Sequence, residues 1–184
     1  MNLRSQRYLI AVSVETMPSL ARFDIVHDPG GIRTDELYMA RVFTVNAVDG
    51  TSRSVAVLDS LCAGNEPCAV LEGDCLTVIL FNRILRIRLS DGALLECVDC
   101  PNWGGLNEIH EIPDGYIIWG EGNVFRYDRG LNRIWEFTGR DILVSPDNRK
   151  HLWIEDNRIH CRDFLGWHYV LDFEGNLICE FYEE

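Results

Sequence analysis

The chain has 184 residues, a net charge of -12 and a pI near 4.8, with 47% hydrophobic and 10% aromatic side chains. That length suits one domain able to bury ~70% of its unfolded surface, and that hydrophobic content excludes a disordered polymer. The acidic balance argues against binding a nucleic-acid backbone, because polyanions repel, and favours a basic partner.

At the start of the chain, the apolar stretch Tyr8 to Val14 is interrupted by Ser13 and followed by Glu15, with no small-residue cleavage site behind it. It predicts a strand and not a signal peptide. No apolar run approaches the ~20 residues that a membrane-spanning helix needs, so no membrane partner is expected. Seven cysteines, an odd number, fit reduced thiols and a cytoplasmic location better than a disulfide framework.

Helix signals are sparse. In TDELYMARV, Thr34 fits a cap and Asp35 and Glu36 a first turn, which predicts one short helix before the β-rich VFTVNAV. Val48-Asp49-Gly50 then reads as a hairpin turn. Together with ARFDIVHDPGG, this region supplies one or two degenerate units within residues 1–65 of a single 1–184 domain.

Three clearer repeats occupy 66–184. Their segments start at Leu76, Gly115 and His151, 39 and 36 residues apart. Each has an apolar strand, a turn with Asn82, Asn123 or Asn157, and an Arg-alternating strand. An Asp–Gly turn (Asp91-Gly92, Asp128 to Gly130, Asp172 to Gly175) and a last strand complete it. An earlier strand precedes each segment, at Cys68, Asn107 and Asp141, and Phe164 to His168 reads as extra residues in the third unit's second turn. Four short strands per 35–40 residues is the period of a propeller blade. From Cys68 to Phe181 the chain resembles β-propeller repeat proteins, the class with NHL-, WD- and quinoprotein-type blades. The resemblance implies an all-β array of four to five blades of antiparallel hairpins, and carries no functional residue with it. An open twisted sheet or a flattened barrel is the alternative.

Motifs for chemistry are few. Gly120-Glu121-Gly122 lacks the third glycine and following helix of a dinucleotide loop, and Asn123 makes it a hairpin turn whose residues tolerate positive φ. Cys97-Val98-Asp99-Cys100 ends a strand without a second cysteine pair, and Cys62 and Cys68 only flank a loop, so no metal or redox cofactor is expected. Ser145-Pro146-Asp147-Asn148 reads as a turn, and no serine sits in a nucleophile motif. His151, His160 and His168 lie among Asp147, Glu155, Asp156, Asp163 and Asp172. A cleft of His160, Arg162, Asp163 and His168 is the enzymatic or ligand-binding alternative. Trp119 and Trp153 fall on equivalent strands and predict core between units. Trp103 and Trp167 sit in loop-like text and, with His168 and Asp163, are the expected contacts of a protein partner. The expected function is a non-enzymatic interaction module, in its concrete form an acidic inhibitor that masks a basic toxin or nuclease.

Overall fold

The computed structural model describes residues 1–32, 36–61, 66–145 and 149–183. Thr34, Asp35, Cys62, Pro146, Asp147 and Asn148 of the expected turn, and Glu184 lie outside the described residues. The chain divides into two compact units, Met1–Cys100 and Pro101–Glu184.

The first unit opens with β1 (Asn2–Arg4), β2 (Tyr8–Thr16), one 3₁₀ turn (Leu20–Arg22) and β3 (Ile25–His27). β4 (Met39–Ala47) and β5 (Ser52–Asp59) complete a five-stranded sheet in the order β1-β2-β4-β5-β3. The apolar stretch from Tyr8 is thus a strand, and Ala47 to Gly50 closes a hairpin through Gly50 N–H to Ala47 O, 3.0 Å. The short helix is corrected: the described part, from Glu36, is not helical, and β4 begins at Met39. Its apolar residues fall on both parities, so the strand is buried on both faces. Phe43 and Val45 face one core, Ala40 and Val42 the other. β3 joins parallel to β5, which makes this sheet irregular beside the later ones.

The second sheet is an antiparallel meander of β6 (Ala69–Glu72), β7 (Cys75–Ile79), β8 (Arg83–Arg88) and β9 (Leu94–Asp99). Leu76, Val78, Leu85 and Ile87 pack it against Ile10, Phe43, Val55 and Val57 of the first sheet. Each such side chain contributes about 1.5–3 kcal/mol on burial.

The second unit repeats the meander twice. β10 (Leu106–Ile112), β11 (Gly115–Gly120), β12 (Val124–Asp128) and β13 (Arg133–Phe137) form one sheet. β14 (Leu152–Glu155), β15 (Arg158–Arg162), β16 (Trp167–Leu171) and β17 (Leu177–Tyr182) form the other. Ile117, Trp119 and Val124 meet Leu152, Ile159, Cys161, Tyr169 and Leu171 in a shared core.

The structure shifts the third repeat by one strand. Asp141–Ser145, expected as its first strand, pairs with no strand: Leu143 N–H bonds Glu121 O at 2.6 Å and Phe164 N–H bonds Ile142 O at 2.8 Å. The segment spans two turns instead of following one neighbour, and its apolar Leu143 plugs the core. Trp167 and His168, expected within an inserted turn from Phe164 to His168, instead open a full strand, Trp167–Leu171, paired on both sides. Asp156 and Asn157 do form a positive-φ turn (48° and 58°), but between the first and second strands of their sheet. Consequently Trp153 lies on a first strand and is half-buried, whereas Trp119 lies on a second strand and is buried.

Gly120-Glu121-Gly122 forms the expected hairpin turn, but without the expected positive φ. Gly120 N–H bonds Asn123 O at 2.9 Å, closing the hairpin, yet neither Gly120, Gly122 nor Asn123 has positive φ. A Cβ at Gly120 would lie 2.7 Å from Asn102 Oδ1 and 2.9 Å from Gly105 O. Close approach of the 102–105 loop excludes a side chain there.

Candidate functional site

β15, β16 and the residue after β17 bring two histidines and a glutamate together on one face of the last sheet. His160 Nδ1 lies 3.1 Å from His168 Nε2, and His168 Nδ1 lies 2.7 Å from a Glu183 carboxylate oxygen. Glu183 also accepts from Arg162 Nε at 2.7 Å and Arg149 Nη1 at 3.0 Å. Trp153 stacks on His160 at 4.8 Å, and the Arg162 guanidinium lies over the Trp153 ring at 4.5 Å. Sequence reasoning placed the two histidines but missed Glu183, Arg162's role as its clamp, and Trp153. The cross-strand spacing of 160 and 168 was the available signal; a tail glutamate carries none.

The Arg162 hydrogen bond holds the Glu183 carboxyl below its ordinary 4.5, and burial, then His168, holds His160 below its ordinary 6.5. Both groups favour the form present at neutral pH, so their stabilisation is full above the ordinary values and falls on acidification. The protection factors of the β17 amides, exchange corrected for its intrinsic slowing in acid, are expected to fall as pH drops below 6.5 and again below 4.5. A His160→Gln variant should lose the first step only; a flat profile from pH 7 to 4 refutes the coupling. Among the described residues neither imidazole hydrogen-bonds to a hydroxyl or thiol, and no cluster of three His, Cys, Asp or Glu could hold a metal ion.

Asp163 does not join the histidines. It is 1% exposed, and accepts from Tyr169 Oη at 2.6 Å and Trp167 N–H at 2.9 Å. Tyr169 Oη in turn accepts the Arg140 N–H at 2.9 Å. This network shapes the β15–β16 turn. His168 is also buried, and Trp167 is half-buried beneath the Arg140 guanidinium, 3.8 Å from its ring. Of the four expected contacts, only Trp103 is widely exposed, at 68%. Cys97 is on β9, and Cys100 is buried just past its end; burial pushes the Cys97 thiol up, away from the thiolate that metal or redox chemistry needs.

Trp103 has company that the sequence did not reveal. Glu121 N–H bonds Gly105 O at 3.2 Å, and Glu121 O receives Leu143 N–H, while Ile142 O receives Phe164 N–H. These backbone bonds tie the Trp103 loop, the β11–β12 turn and the β15–β16 turn into one end of the unit. Phe164 and Leu165 are 49% and 52% exposed there. The remaining hairpin turns of both meanders lie at the opposite end, about one strand length, ~17 Å, away. They carry Asp114, Glu155, Asp156 and Glu174, exposed and without an ion pair among the described residues. The unit therefore has an aromatic end and an acidic end.

No protein-family model and no curated protein sequence matches the chain. Solved structures do. The WD40 domain of Neurospora crassa Pan2 aligns with TM-score 0.51 and 13% identity, over 67% of this chain and 39% of that one. The computationally designed Ika4 protein aligns with TM-score 0.50 and 12% identity, over 66% and 76%. BamB from Moraxella catarrhalis gives 0.48 and 11%, over 78% and 47%. This chain spans less than half the length of the Pan2 domain and of BamB. The likeness shows a fold: an all-β, propeller-type array of antiparallel hairpin repeats, here, among the described residues, four sheets of four or five strands, none closed on itself. It is the fold that the repeat spacing implied, at the lower end of the expected four to five blades.

Proposed function

We propose that the protein is a non-enzymatic interaction module that docks a basic protein, and that the aromatic end of the second unit is the docking surface. The observation that carries this reading is the placing of Trp103, Phe164 and Leu165, all exposed, at one end of the unit on loops that backbone hydrogen bonds tie to a common segment. Preorganised aromatic anchors supply much of the energy at protein interfaces. A net charge of -12 speeds encounter with a cationic surface and disfavours acidic competitors. An acidic inhibitor that covers a toxin or nuclease is the specific form proposed, in a reducing cytoplasm that suits the free thiols.

The test is affinity capture against basic proteins encoded beside this gene, followed by titration of the captured partner. Trp103→Ala should weaken binding by about 30-fold, the loss of ~2 kcal/mol that marks an interface anchor, while leaving the melting temperature unchanged. Raising salt should slow association more than it speeds dissociation. Capture of no basic protein, or equal affinity for Trp103→Ala and wild type, ends this reading.

A further inference from the structure

We propose that the first unit holds a binding site for a small organic anion, a carboxylate with an apolar body, in a cavity of about 440 Å³ between its two sheets. That volume is within the range of small-molecule sites. The start of β2, the β4–β5 hairpin and the residues after β8 line it, with the buried Tyr8, Val45 and Leu89 as its apolar floor and its mouth open to solvent. Arg7 and Arg53 stand at its wall.

The ligand class follows from which polar groups are already used. Tyr8 Oη donates to Asp74, and Ser90 Oγ donates to the same carboxylate at 2.6 Å. Thr51 Oγ1 donates to Asp49 at 2.7 Å, and Ser52 Oγ to Asn46 at 2.9 Å. The hydroxyl hydrogens and both nearby carboxylates are thus engaged with each other. The guanidiniums are not. Arg53 gives Nη1 to the carbonyls of Leu89 and Ser90 at 3.1 and 2.8 Å, which anchors it and leaves Nε and Nη2 without hydrogen-bond acceptors among the described residues. Arg7 lies over the Tyr8 ring at 5.5 Å and its charge acts on Asp49 and Asp74, but its guanidinium makes no hydrogen bond or ion pair among the described residues. The spare capacity of the cavity is therefore donor capacity on the anchored Arg53 fork and the exposed Arg7 fork, which match a carboxylate in geometry and charge. The floor adds affinity for a ring or aliphatic chain. This site is in the other unit from the aromatic end and is independent of the interaction reading.

Calorimetry on the full chain tests it with benzoate, benzyl alcohol and inorganic phosphate as probes. Benzoate is expected to bind, and Arg7→Ala to weaken it by at least about tenfold, as loss of a charged hydrogen-bonding partner does. Arg7 is exposed, so the variant should melt with the wild type, and Arg7→Lys should recover part of the affinity. No heat with benzoate, or benzoate binding unchanged in Arg7→Ala, overturns the site. Benzyl alcohol binding as tightly as benzoate overturns the role of the guanidiniums, and phosphate binding as tightly overturns the role of the floor.

Discussion

Gly115→Ala is expected to destabilise the protein by about 2–5 kcal/mol, combining backbone strain with overpacking. Gly115 opens β11 at φ +152°, and a Cβ there would sit 2.0 Å from Tyr127 O and 2.9 Å from Asp128 Cα. Both neighbours are backbone of β12, the strand to which Gly115 is paired. Neither can withdraw without breaking the ladder that carries Ile117 and Trp119 into the core. The melting temperature should fall by on the order of 10 °C. Gly50→Ala is the control: φ is +89°, but nothing lies within 4 Å of the added atom, so only the conformational cost of ~1–2 kcal/mol remains. Equal melting temperatures for the two variants would contradict the steric argument.

Asp163→Ala is expected to cost about 2–4 kcal/mol, because it strands the buried Tyr169 Oη donor and the part-buried Trp167 N–H. Asp163→Asn keeps an acceptor oxygen and should lose well under half as much. Burial first, and the Asp163 hydrogen bond second, push the Tyr169 phenol far above its ordinary 10.0. Its stabilising contribution is therefore intact below pH 10 and disappears only in strong alkali. In Asp163→Ala, ultraviolet titration should find Tyr169 ionising closer to the ordinary value. The same variant should loosen the turn that displays Phe164 and Leu165, and so weaken partner binding without Asp163 touching the partner. If Asp163→Ala melted with the wild type, the carboxylate would have no structural role and the contact role would return.

Much of the fold is legible locally. Alternation at Leu85, Ile87 and Leu89 reports a strand half-facing the core, and Asp91-Gly92 or Asp128 to Gly130 reports the turn after it. Those signals need only neighbouring residues, which is why the second and third sheets follow the expected boundaries closely. The last sheet was misphased because two segments, Asp141–Ser145 and Trp167–Leu171, are both apolar enough to be strands. Only the available hydrogen-bonding edges decide between them, and those edges belong to residues distant in sequence.

Of the candidate site, the sequence shows the histidines and Trp103 but not their company. By itself it determines that the chain is all-β, built from hairpins at a 35–40-residue period, acidic and rich in late aromatics, because composition and period two are local properties. The tertiary structure alone decides that Asp163 turns inward, that Glu183 closes the histidine chain, that Gly120 yields to a crossing loop, and that the loops of Trp103, Phe164 and Leu165 share one end of the unit. Each of these depends on a contact between segments that no spacing rule connects, where packing density and the need to satisfy buried donors choose the partner.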